Sequence, residues 1–220
     1  MIKNKKLNIS QIVYCLILFL VWAVLEFVLM TKIETSLSVQ SAEIIKEILL
    51  KILIWFVPAL ILFRFYNQFM YVKKDEIFSL KKCNWIDFIK VFCAFTIFHV
   101  ITSYVQKGDI SLNPAFSVLD VLIAFTVGFS EEMVFRGWLL NSTLNDNNKW
   151  LAVLFNSLLF LAIHFPVWIR QGMFLEYITS GAFVQILALS VIFGWSFMKS
   201  KSIIIPAMLH FYWDLLCFML

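Results

Sequence analysis

The sequence predicts an all-α, polytopic transmembrane bundle of about seven helices, and three observations carry that reading. Of the 220 residues, 62% are hydrophobic and 15% charged, with a mean hydropathy of +0.88; an ordinary soluble domain is roughly 45–50% apolar and about 25% charged. The apolar residues fall into long runs separated by short polar stretches. Each crossing needs about 20 apolar residues, so seven runs leave little chain for a separate soluble domain.

The first run, Ser10–Met30, follows Lys3, Lys5 and Lys6 and so has the outline of a signal peptide. It is longer than the roughly 7–15-residue apolar region of such a peptide and lacks a small-x-small cleavage site, so it reads as a retained helix. The second run is Ile48–Tyr66. Residues 67–84, "NQFMYVKKDEIFSLKKCN", mix apolar and basic side chains, which suits a linker, a short helix lying on the inner membrane surface, or a solvated loop. Trp85–Tyr104 and Phe116–Leu140 come next, then Trp150–Phe165 and Phe183–Phe197, which are short for a crossing and extend past these limits or tilt little. Ile203–Leu220 is the last. The chain divides into residues 1–116, N-terminal transmembrane helices with the surface linker, and residues 117–218, a core that holds the chemistry.

Lys and Arg collect on one side of this arrangement. With the N-terminus in the cytoplasm, the inner side holds Lys3, Lys5, Lys6, Arg64, Lys73, Lys74, Lys81, Lys82, Lys149, Lys199 and Lys201, against Lys32, Lys46, Lys107 and Arg170 outside. The formal charge of +4 is dispersed. It suits loops beside anionic lipid, and no basic run is dense enough for nucleic acid. The lipid bilayer is the evident partner. Cys15, Cys83, Cys93 and Cys217 show no CxxC spacing, which gives neither a disulfide framework nor a zinc knuckle.

An ionisable group in hydrocarbon costs about 2.5–3.5 kcal/mol on insertion scales, so it faces the bundle interior and has a partner or a task. The groups that stand out are Glu26, His99, Asp120, Glu131, Glu132, Arg136, His164, His210 and Asp214. Glu132 and Arg136 are four apart on one helix face, where carboxylate neutralises guanidinium. Glu131 is turned about 100° from Glu132 and needs another neighbour. His164 is a candidate, because Glu131 and His164 are equidistant from the polar turn Asn141–Lys149 and meet at one height in an antiparallel hairpin. His210 and Asp214 are again four apart. Glu131 is roughly 15 Å along its helix from Asn141, and His210 roughly 14 Å from Lys201, so both lie near the bilayer middle. Four polar groups from three helices can converge there. Glu26 and Asp120 read as snorkelling or helix-packing groups, and His99 has no partner by spacing.

Glu131-Glu132-x-x-x-Arg136, Phe160-x-x-x-His164 and His210-x-x-x-Asp214, in this order on three apolar helices, resemble the motifs of the CPBP family. That family (CAAX protease and bacteriocin-processing, Abi) comprises intramembrane endopeptidases and includes the Ras-converting CAAX endoprotease. The resemblance covers residues 117–218. It implies hydrolysis of a membrane-associated peptide or protein substrate, with Glu131 activating water, helped by His164. His210 and Asp214 would polarise the scissile carbonyl, and Glu132, Arg136 and Phe160 would give structural support. Roles in peptide maturation or self-immunity to bacteriocins go with the family's bacterial members. The last motif ends in Asp214 where the CAAX-processing branch carries Asn; an ionised Asp cannot donate to an oxyanion, so it must be protonated, orient His210 or bind a metal. Two histidines and a carboxylate also make a hydrolytic zinc set, here His164, His210 and Asp214. A metal-free glutamate mechanism is preferred, with no obligatory cofactor.

Two other functional classes compete. A non-catalytic membrane protein could capture a peptide or partner in the same polar cavity. A proton-coupled transporter also uses intramembrane carboxylates and histidines, but the sequence lacks the paired halves and Gly/Pro-interrupted helices of many transporter folds.

Overall fold

A computed structural model describes residues 5–145 and 148–220. Lys3, counted above on the basic side, and Asp146 and Asn147 of the polar turn lie outside the described residues. The described chain is helical throughout its regular structure: α1 Lys5–Ser36, α2 Val39–Phe65, α3 Trp85–Lys107, α4 residues 118–143, α5 Lys149–Arg170, α6 Phe174–Thr179, α7 Ala182–Ser200 and α8 Ile204–Met219. Five of these, α1, α2, α3, α5 and α7, are long and apolar enough to cross a membrane. α4 carries the charged motif, and α8 is a shorter apolar helix. This is a multi-pass helical membrane bundle, as expected from the sequence.

Local signals account for the helix ends. Ser38 caps α2 by accepting from the Ser41 amide at 3.3 Å, and Asn84 caps α3 by accepting from Ile86 at 3.3 Å. The amide of Gly108, at φ 81°, closes α3 on the Tyr104 carbonyl. α4 begins with a capping box, in which the Ser117 amide donates to Asp120 Oδ2 at 2.7 Å. Asp120 is therefore an N-terminal capping group rather than a snorkelling one. Asn148 caps α5 through the Trp150 and Leu151 amides.

α4 lies at the centre. It packs on α8, α2, α5 and α7, and every residue from Ser130 to Ser142 is buried. Gly128 permits the closest of these approaches, because a Cβ there would stand 2.9 Å from the Phe211 amide nitrogen and 3.1 Å from the Ala207 carbonyl oxygen of α8. On one side of α4 a core of Trp55, Phe63, Phe135, Trp138 and Phe160 joins α1, α2 and α5. A second core of Phe88, Phe95, Phe193, Leu209 and Trp213 joins α3, α7 and α8.

Residues 67–84 link α2 to α3, as one of the three expectations had it, but form neither the surface-lying helix nor the solvated loop of the other two. Only Asn67–Phe69 form a helical turn, and Met70, Val72 and Ile77 are fully buried. The reason is backbone pairing to the ends of other helices. The Tyr71 amide donates to the Asn141 carbonyl at 3.0 Å, and the Ile203 amide to the Ile77 carbonyl at 2.8 Å. The Asn141 side chain accepts from the Val72 amide at 2.7 Å and donates to the Val72 carbonyl at 3.0 Å. These bonds fold the segment back as a plug over one end of the bundle. Asn141→Ala strands the buried Val72 amide, and we expect a loss of about 1–3 kcal/mol, read as a lower unfolding temperature in detergent with the helix content of the native state unchanged.

The plug marks the basic end. The Ser10 and Tyr66 hydroxyls lie 2.6 Å apart, and Gln11 meets Ser142, so the start of α1 also sits there. At the opposite end the Asn113 amide donates to the Met219 carbonyl at 2.8 Å, and Arg170 binds Glu34 at 2.7 Å.

Candidate active site

A cavity of about 720 Å³ opens at the end opposite the plug. Glu34, Glu43, Asp120 and Arg170 stand toward its mouth, and Glu131, His164, His210 and Asp214 line its interior. The four residues singled out by spacing are thus gathered on one hollow.

Each is placed by a local feature. Glu131 is the last residue but one of the regular α-helical part of α4, which ends at Glu132 and continues as a π-wound stretch over Met133–Leu140; such widened turns recur at functional sites. His164 occupies a break in α5, after Lys149–Ala162 and just before Phe165–Arg170, whose first turn holds Pro166. The fifth segment therefore runs on past Phe165 to Arg170, with the break setting His164 apart from the regular ladder. Nδ1 of His164 lies 2.8 Å from the Phe160 carbonyl oxygen. A carbonyl only accepts, so Nδ1 carries the proton and Nε2 is the acceptor of the neutral ring. His210 lies on α8 with Nδ1 3.0 Å from Glu132 Oε1, and Nε2 3.5 Å from Asp214 Oδ2 and 4.0 Å from Glu131 Oε2.

Glu132, Arg136 and Phe160 pack together beside these four residues. Arg136 is fully buried and donates to Glu132 Oε1 at 2.8 Å, to the Ser190 carbonyl at 2.7 Å and to Ser190 Oγ at 2.6 Å. Glu132 Oε1 thus links Arg136 to His210, and Arg136 ties α4 to α7. Phe160 packs at the centre, with its ring centroid 4.8 Å from the Arg136 guanidinium, 5.2 Å from His164 and 5.8 Å from His210. Phe193, which has no motif to announce it, stacks on His210 at 4.9 Å and 18°.

The neighbour that Glu131 requires is Lys51 of α2, a group the sequence reading passes over. Its Nζ is bound to Glu131 Oε1 and lies 3.1 Å from Glu47 Oε2. Lys51 is 5% exposed and Glu131 4%. The signal was present in the sequence: Lys51 falls inside the second apolar run, where the rule that a buried charge needs a partner applies to it as much as to Glu131. Further ion pairs continue to the mouth, from Glu47 to Lys46 at 3.3 Å, Lys46 to Glu26 at 2.9 Å, Glu26 to Arg170 at 2.8 Å and Arg170 to Glu34 at 2.7 Å. Glu26 is accordingly a fully buried packing group shared by two cations. His99 does not line the cavity; its ring meets Trp213 at 4.4 Å and lies 3.9 Å from Cys217 Sγ.

Among the described residues, no three His, Cys, Asp or Glu side chains are grouped so as to hold one metal. Nδ1 of His164 and of His210 is bonded to protein oxygen, an arrangement compatible with either a metal-bound or a metal-free imidazole.

Comparison with known proteins agrees with the motifs. Residues 113–216 match a family model described as Rce1-like, type II CAAX prenyl endopeptidase. No curated protein and no solved structure matches the chain. Over residues 113–216, the stretch that holds all three motifs, the chain is similar to the CAAX prenyl endopeptidases that this family model describes.

Proposed function

We propose that this protein hydrolyses a peptide bond of a membrane-associated peptide or protein terminus with a water molecule activated by Glu131. The observation that supports this most is that Glu131, His164, His210 and Asp214 line one cavity. In this reading Glu131 accepts a proton from water, and the hydroxide oxygen bonds to the scissile carbonyl carbon. His164, with Nε2 as acceptor, helps to hold that water. The carbonyl oxygen becomes the oxyanion, which the imidazolium form of His210 can meet from Nε2 while Nδ1 donates to Glu132. Glu131, Glu132 and Asp214 surround that imidazolium with the counter-charge it requires. Asp214 orients His210, a role open to a carboxylate that cannot itself donate. Glu131 then returns its proton to the leaving amine as the C–N bond breaks.

The same reading places the basic, plugged end and the N-terminus in the cytoplasm, so the cavity mouth faces the outer side.

The test is peptide cleavage by the purified protein in lipid nanodiscs, followed by mass spectrometry. The substrates are farnesylated C-terminal peptides and the same peptides unmodified, with and without a chelator. Glu131→Gln is expected to reduce cleavage by about 10³-fold or more, within the range of a lost general base, while the unfolding temperature shows that the protein still folds. Full activity in that variant would remove the glutamate mechanism and leave peptide capture in the same cavity as the better account. Loss of wild-type activity in chelator, restored by added zinc, would count against the metal-free route.

A further inference from the structure

The family match begins at residue 113, yet the group in closest contact with Glu131 comes from α2, far upstream. We propose that Lys51 is a positioning residue for the reaction: its ammonium ties down Oε1 of Glu131 and so turns Oε2 toward His210 and the cavity. The inference rests on the assignment of Glu131 as the base.

The two oxygens of Glu131 have different neighbours. Oε1 is bound by Lys51, and Oε2 faces His210 Nε2 at 4.0 Å. The terminal torsion of a glutamate is broad and roughly two-fold, so a free carboxylate would sample many orientations. Fixing one oxygen aims the other. Lys51 is itself fixed. Glu47, one turn earlier on α2, holds its Nζ at 3.1 Å, and the rings of Trp55 and Trp22 lie 5.2 Å and 6.0 Å from it. Those rings meet edge to face at 5.0 Å, which closes the box. Among the described residues, the other charged or titratable groups that interact with Glu131 include Glu47 from α2, Arg136 from α4 itself, His164 from α5 and His210 and Asp214 from α8, and the ammonium bound to it is that of Lys51. The N-terminal helices thus supply part of the catalytic geometry, and α2 is joined to the C-terminal core through a working contact.

The test measures kcat and KM separately for the wild type, Lys51→Met, Lys51→Arg, Asn141→Ala and Glu131→Gln in nanodiscs, on the farnesylated and unmodified peptides above, with unfolding temperatures for each. Lys51→Met should lower kcat by about 100-fold, the scale of a displacement of about 1 Å in a catalytic group, and leave KM within about threefold. Lys51→Arg should recover most of that loss, because it restores a cation to Oε1. Asn141→Ala, which destabilises the remote plug, should melt early yet keep its kcat. Wild-type kcat in Lys51→Met, an equal fall in kcat in Asn141→Ala, or an arginine variant as slow as the methionine one would each overturn the inference. If Glu131→Gln is inactive while Lys51→Met is unimpaired, only the role of Lys51 falls. If Glu131→Gln is fully active, the assignment of the base falls with it.

Discussion

Arg136→Met is expected to leave little folded protein. The arginine is wholly buried, and its guanidinium joins Glu132, Ser190 Oγ and the Ser190 carbonyl. Removing it strands a carboxylate that is also fully buried, and breaking such a pair from one side costs about 3–5 kcal/mol. Total stabilities are about 5–15 kcal/mol, so the loss takes a large share. Lysine is not a conservative replacement, because one ammonium cannot reproduce the planar fork that reaches three acceptors on two helices. The measurement is the yield and unfolding temperature of detergent-purified protein. A variant that melts like the wild type would show that the pair contributes little.

Gly128→Val is expected to spare insertion and destroy activity. The contacts that a Cβ would meet, the Phe211 amide nitrogen and Cα and the Ala207 carbonyl, all belong to the α8 backbone. Rotamer changes cannot relieve them, so α4 and α8 must move apart. Glu131 is on one of these helices, and His210 and Asp214 are on the other. Overpacking of this kind costs about 1–3 kcal/mol, but a displacement of about 1 Å between catalytic groups costs about 100-fold in rate. The rate should therefore suffer far more than the melting temperature. Cleavage assays paired with thermal unfolding read the two effects separately, and a variant that loses both in proportion would refute the argument.

The parts of this arrangement that depend on neighbours along one helix were legible in the sequence. Hydropathy located the seven longest helices among the described residues, and the four-residue spacings of Glu132 with Arg136 and of His210 with Asp214 appear in the structure as contacts of 2.8 Å and 3.5 Å. Features that depend on how helices meet were not. Lys51 reaches Glu131 across 80 positions of sequence, and no periodicity announces that contact. Phe193 joins the site only because α7 lies beside α8. The burial of Met70, Val72 and Ile77 was hidden because the hydrogen-bond partners of this segment, Asn141 and Ile203, belong to helix ends that are distant in the chain. The deficit of Glu131 could be inferred locally, but its remedy required the packing.

The plug over the basic end has a consequence for the membrane itself. Met70, Val72 and Ile77 lie within a continuous apolar floor with Phe63, Phe135, Trp138 and Leu140, each of them without exposed surface. Beneath the charged residues this floor closes the polar hollow off from the basic end. Under the proposed function, water for hydrolysis would then enter without opening a path for ions through the bundle.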